Sequence, residues 1–207
     1  MKSKENKSKK SRYLLIVGLL LIPFISIFLI IQFRHTVVPT NDEIIKYVQE
    51  ADGYKTDIKY TIINSKGEFD ENVQVYYRKN YGVRVEFPQD RVKIYKDGYI
   101  SILEQDYEYE LEEGFDSLYP LGFINNILSN EIIEIKEASE EWGDIKYLEI
   151  SIDLPSKNKH IDSAKVYINK KDKSPKITKI YNSNEEESVI IIYDNFVFLK
   201  DIDKNLF

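Results

Sequence analysis

Along most of this chain, apolar positions recur at every second residue rather than every third or fourth. From Tyr54 onward, short runs rich in Ile, Val and Tyr alternate with clusters of Gly, Asn, Asp and Ser, the pattern of successive half-buried strands. Strands are predicted near 54–64, 69–79, 83–87, 91–96, 99–104, 106–111, 132–138, 145–154, 163–169, 176–182 and 188–199. The turns Ser65-Lys66-Gly67, Lys96-Asp97-Gly98, Trp142-Gly143-Asp144 and Ser183-Asn184-Glu185 suit tight reversals. Connections this short allow hairpins but not parallel crossovers. The strands should therefore form one antiparallel meander, curled into a half-barrel.

One hairpin can be examined by register. In GVRVEFPQDRVKIYKDG, a four-residue loop Pro88 to Arg91 sets Phe87 opposite Val92, Glu86 opposite Lys93, Val85 opposite Ile94 and Arg84 opposite Tyr95. Apolar side chains then share one face, and charge and cation–aromatic pairs the other, each worth about 0.2–1 kcal/mol. A three-residue loop would set Val85 against Lys93, so the four-residue loop is expected.

Two segments carry helical spacing. Thr40 with Glu43 makes a capping box, and Ile44, Ile45 and Val48 give an apolar stripe that stops by Gly53. In GFDSLYPLGFINNILSNE, Pro120 suits a first helical turn, while Leu121, Ile124, Ile127 and Leu128 recur at helical spacing. One helix here can lie across the concave side of the sheet. It either plugs the core or, with Leu118, lines the mouth of an apolar cavity that holds a lipid.

A third texture precedes these. Tyr13 to Phe33 is 21 residues without a charge, and a helix of that length spans roughly 31 Å, close to a bilayer's hydrocarbon core. A cleaved signal has a shorter apolar run and small residues at its end; here Gln32-Phe33-Arg34-His35 follows. A retained signal anchor is the reading, with cleavage as its alternative. Pro23 is tolerated in such a span. The preceding tail, residues 1–12, is polar, disordered in expectation and nets +5, which places it in the cytoplasm and residues 34–207 outside. Anionic lipid explains that basic tail better than nucleic acid does.

Composition narrows the rest. The chain has no cysteine, so neither a lipidated thiol nor a disulfide is available, and the exported part must rely on its core. At about 170 residues it is large enough to do so. Its net charge of −11 disfavours phosphate backbones, and no nucleic-acid role is expected. The anticipated layout is tail 1–12, transmembrane span 13–33, linker 34–41 and a mainly β (α+β) domain over 42–207 with a few helices on its concave side.

Catalytic chemistry finds little purchase. Asp106, Glu108 and Glu110 alternate in EQDYEYELEE; residues two apart on a strand lie about 6.7 Å apart, a spacing that suits the two acids of an inverting glycosidase. The same alternation is what a strand with Tyr107, Tyr109 and Leu111 inside and a solvated acidic face would show. Of the two histidines, His35 adjoins the span and His160 sits in a polar loop near Asp162, with no nucleophile motif beside it. Cysteine pairs, H-E-x-x-H, calcium-loop and glycine-rich phosphate patterns are missing from the sequence, and no metal or cofactor is expected. Tyr76, Arg78, Arg84 and Tyr95 are candidates for a protein contact patch, since Tyr and Arg are enriched at interfaces; ordinary strand surface is the alternative.

The helix followed by YKTDIKYTIINSKGE, VQVYYRKNYGVRVEFPQDRVKIYKDGYISI and YPLGFINNIL resembles the GerS-type germination lipoproteins of spore-forming clostridia. Those are similar in fold to the LolA, LolB and LppX lipoprotein carriers, a curved antiparallel sheet partly filled by helices. The resemblance implies a non-enzymatic role in sporulation and germination, binding and activating a cell-wall N-acetylmuramoyl-L-alanine amidase that helps make the muramic-δ-lactam of spore cortex. GerS-type proteins carry a lipobox cysteine, which this chain lacks; Tyr13 to Phe33 would replace the lipid as tether. A lipid- or lipoprotein-binding module of the LolA or LppX type is the other reading.

Overall fold

A computed structural model of the protein describes residues 18–31, 39–137, 146–156 and 158–207. They fall into two compact units, residues 1–40 and Asn41–Phe207. In the first, residues 18–31 form a helix (α1). The rest of the expected span, the basic tail, most of the linker with His35, and the turn Trp142-Gly143-Asp144 lie outside the described residues. Among the described residues no helix is long and apolar enough to cross a membrane.

The second unit opens with α2 (Asn41–Gln49), which buries Ile44, Ile45 and Val48 and ends before Gly53, as its apolar stripe predicts. Eleven strands follow: β1 (Gly53–Asn64), β2 (Gly67–Arg78), β3 (Gly82–Glu86), β4 (Arg91–Lys96), β5 (Tyr99–Glu104), β6 (Tyr107–Glu112), β7 (Ile132–Glu137), β8 (Tyr147–Asp153), β9 (Ser163–Asn169), β10 (Pro175–Tyr181) and β11 (Glu187–Phe198). All pair antiparallel in one open sheet, in the order β6-β5-β4-β3-β2-β1-β11-β10-β9-β8-β7. The predicted strands are present to within a few residues at their ends.

Their spatial order departs from a single meander. Two meanders, β1 to β6 and β7 to β11, join at the centre through β1 and β11. The chain leaves at one edge, β6, and re-enters at the other, β7. The segment between them crosses the concave face and carries the helical residues. Where β1 meets β11, the register slips between Lys55 and Asp57. The extra residue lies on β11, where Asn195 takes φ 51° and donates its amide to Asp57 (2.8 Å). Such a bulge sharpens the local twist and helps a sheet curl.

The β3–β4 hairpin takes the register that was not expected. Glu86 pairs with Val92, Val85 with Lys93, Arg84 with Ile94 and Val83 with Tyr95. The loop has three residues, Pro88 to Asp90, closed by Phe87 N–H to Arg91 C=O (2.8 Å). Gln89 and Asp90 both adopt positive φ. The cause is tertiary: Lys93 turns to the concave face because Asp116, on the crossing segment, receives its ammonium at 2.6 Å.

That crossing segment is not one continuous helix either. It forms a 3₁₀ turn, Tyr119–Gly122, and then α3 (Ile124–Ile127), separated by Phe123 in an extended conformation. Gly122 lies against the sheet so closely that a Cβ there would stand 2.1 Å from the Tyr60 hydroxyl. No side chain fits, and the backbone seats directly on β1.

Candidate functional site

The concave face is built by alternate residues of each strand: Tyr54, Ile58 and Tyr60 of β1, Val73 and Val75 of β2, Ile150 and Ile152 of β8, Val189 and Ile191 of β11, all buried. The crossing segment fills it. Ile124, Ile127, Leu128 and Phe123 are 0–2% exposed and pack in the core. Tyr95 meets Phe123 edge-on with ring centroids 5.0 Å apart, Tyr54 donates to Asn125 Oδ1 (3.1 Å), and Tyr60 donates to the Tyr119 carbonyl (2.7 Å). Gln49 of α2 donates to Leu128 C=O (2.6 Å), closing the layer from above.

A polar latch holds the front of this plug. Asp116 accepts from Lys93 Nζ (2.6 Å), Tyr95 Oη (2.7 Å) and the backbone N–H groups of Leu118 (3.2 Å) and Tyr119 (3.3 Å). Burial alone would raise the Asp116 carboxyl, but these bonds and the Lys93 charge outweigh it and hold the group below the ordinary aspartate value. Beside it, Tyr119 donates to Glu71 Oε2 (2.5 Å) while Arg91 donates to Glu71 Oε1 (2.8 Å). Burial and the Glu71 carboxylate push the Tyr119 hydroxyl well up. Together these bonds tie the segment to β2 and β4. The sequence signal for it was present but unread: an Asp in a loop, Lys93 and Arg91 alternating with Val on a strand.

The contact-patch candidates separate. Tyr95 is 4% exposed and belongs to the latch; it offers no surface, because β4 turns it inward with Lys93. Tyr76, Arg78 and Arg84 do share the convex face, Tyr76 directly opposite Arg84. The two arginines there hold the C-terminal segment. Arg78 pairs with Asp201 (2.9 Å) and donates to the Ile202 carbonyl, and Arg84 bonds Glu86 (2.7 Å) and the Leu206 carbonyl (3.1 Å).

Leu118 and Leu121, the remaining cavity candidates, line a cavity of about 300 Å³ with Ile62, Ile161 and Val189, and with Asn158 and His160 also in its wall. His160 is held through its backbone: its N–H donates to Asn158 Oδ1 (3.1 Å) and its carbonyl accepts from Ser188 Oγ (2.7 Å). Among the described residues no group of three or more His, Asp or Glu is placed to hold a metal ion. Glu108 and Glu110 do lie on one face of β6, with Tyr107, Tyr109 and Leu111 on the other, but the whole strand is exposed. The expected burial of the tyrosines fails because β6 is the last strand of the sheet, and the plug does not reach it.

The model of the sporulation protein YdcC-like family matches residues 11–207. The chain belongs to that family. Among solved structures, it is similar to an uncharacterized conserved protein from Thermus thermophilus, at 10% identity over 80% of this chain and 91% of that one, with a TM-score of 0.53. A LolA superfamily protein from Nitrosomonas europaea matches at 10% identity, 81% and 97% coverage and a TM-score of 0.46. A chain from the CwlD amidase of Clostridioides difficile in complex with the GerS lipoprotein matches at 19% identity, 79% and 95% coverage and a TM-score of 0.39. No curated protein matches. At 10% identity, the first of these likenesses concerns the fold of the YdcC-like chain alone.

Proposed function

We propose that this YdcC-like protein is a membrane-tethered, non-enzymatic docking protein of sporulation, which binds a cell-wall amidase and favours its active state. The observation that carries the docking reading is the filled concave face. With Ile124, Ile127 and Leu128 sealed in the core, the sheet has spent its inner surface on itself, and its edges and outer face remain for a partner. The carboxylates of the latch are each occupied by two or more donors, which suits holding a segment in place rather than moving protons. The amidase as partner rests on the resemblance of most of residues 42–199 to GerS-type proteins. Tyr13 to Phe33 would serve as the tether, keeping the tail cytoplasmic and the domain outside. An interface of the usual size, about 1,600 Å² in total, would suffice.

The test uses the full chain in detergent micelles with the amidases of the same organism. One of them should co-purify and gain activity on peptidoglycan in the mixture, while the chain alone releases nothing. Failure to retain any amidase would refute the reading. A second reading, lipid or lipoprotein binding, is favoured by the cavity beneath Leu118 and Leu121, whose roughly 300 Å³ lies at the lower bound for ligand pockets. Native mass spectrometry of the purified chain would then show a bound lipid that a Leu121→Trp variant loses.

A further inference from the structure

An open sheet ends in two rows of backbone groups, and here the two rows are made differently. At β7, the register slips between Ile132 and Glu134, and Lys136 lies on the strand within 3.3 Å of Glu134 and Glu149. A bulge and a lysine are the devices that keep an edge from pairing. β6 has neither. Its pairing with β5 runs without a slip from Glu104 opposite Tyr107 to Tyr99 opposite Glu112, and it holds no proline and no lysine.

The backbone alternation can be read from one bond. Glu113 N–H donates to Gly98 C=O at 2.9 Å, so the hydrogen-bonded pairs with β5 fall at Tyr107, Tyr109 and Leu111. The N–H and C=O groups of Glu108, Glu110 and Glu112 therefore point away from the sheet, at the spacing a further antiparallel strand requires. Tyr107, Tyr109 and Leu111 face the concave side and are 74%, 46% and 39% exposed. The three glutamates face the other side, and among the described residues none of them is in an ion pair. A second copy of this chain fits badly, because antiparallel pairing of β6 with itself sets glutamate opposite glutamate.

We propose that β6 is a docking strand, which receives by strand addition an extended segment of a partner protein that alternates Lys or Arg with apolar residues. Cations would lie beside Glu108, Glu110 and Glu112, and apolar side chains beside Tyr107, Tyr109 and Leu111. Main-chain bonds supply the attachment and the alternation supplies the choice of partner. This rests on the docking reading above and names its surface.

The probe is a short end-blocked peptide alternating lysine and valine, with an alternating glutamate–valine peptide as control, added to the full chain in micelles. Fluorescence anisotropy should show saturable binding of the lysine peptide alone, and hydrogen exchange should slow over 107–112. Glu110→Pro removes an outward N–H without touching a bond to β5, and should weaken binding roughly tenfold, as loss of a main-chain bond implies. Glu110→Gln keeps the N–H and should lose less, its difference from wild type vanishing in high salt. Unchanged exchange in β1 and β11 certifies that each variant is folded. Equal binding of both peptides, protection away from 107–112, or wild-type affinity in Glu110→Pro would overturn the proposal. So would an amidase that co-purifies equally with wild type and Glu110→Pro, although docking itself would then stand. Capture of the lysine peptide at β6 with no amidase retained would leave this edge standing and remove the amidase.

Discussion

Gly122→Ala measures how tightly the plug is seated. The new Cβ would stand 2.1 Å from Tyr60 Oη and 2.9 Å from Tyr60 Cζ, so either the 3₁₀ turn lifts or the Tyr60 ring withdraws. In both cases the buried bond from Tyr60 to the Tyr119 carbonyl, 2.7 Å long, is lost or strained. An unmade buried hydrogen bond costs about 1–3 kcal/mol, and overpacking a filled core costs about 1–3 kcal/mol more. The expected loss is therefore about 2–6 kcal/mol. For a domain of this size, that is a fall in Tm of roughly 5–20 °C, read by far-UV circular dichroism of residues 41–207. A double-mutant cycle makes the argument specific. Tyr60→Phe removes the nearest clashing atom, so Gly122→Ala should cost at least about 1 kcal/mol less in that background. A Gly122→Ala protein within about 0.5 kcal/mol of wild type, or an unchanged cost beside Phe at position 60, would refute the close seating.

Two other changes address the polar contacts. Asp116→Asn removes the carboxylate that receives Lys93 and Tyr95 and should cost about 1.5–3 kcal/mol at neutral pH. Because the folded-state value of Asp116 is depressed, its contribution is present above the unfolded value of about 3.9 and is lost as pH falls through the lower folded one; the gap between wild type and variant, followed by urea titration, should therefore narrow below about pH 4. Arg78→Ala frees Asp201 and the Ile202 carbonyl and should speed hydrogen exchange over 201–207, while changing global stability by no more than about 1–2 kcal/mol; unaltered exchange there would mean that the arginine does not hold the C-terminal segment.

Local chemistry was legible in the one-dimensional pattern. Alternation marked each strand, Asp97-Gly98 marked a tight turn, and Ile44, Ile45 and Val48 marked the buried face of α2, because these depend on neighbours within a few residues. The apolar character of Ile124, Ile127 and Leu128 was equally plain, and so was the want of any recognisable catalytic motif. What the tertiary structure decided were choices between states of similar local energy. Either β3–β4 register was sterically possible; Asp116, twenty-three residues beyond Lys93, tipped it by accepting the ammonium on the concave side. Tyr95 left the surface for the same reason. Which strands would be edges was likewise beyond the alternating pattern, since β6 and β7 read like the rest until β1 and β11 met across the whole domain. The sequence alone therefore determined the strands, through contacts a few residues apart, while the face that β4 turns inward was left to Asp116. The order of those strands, and the exposure of β6, came from contacts more than a hundred residues apart, which no short window contains.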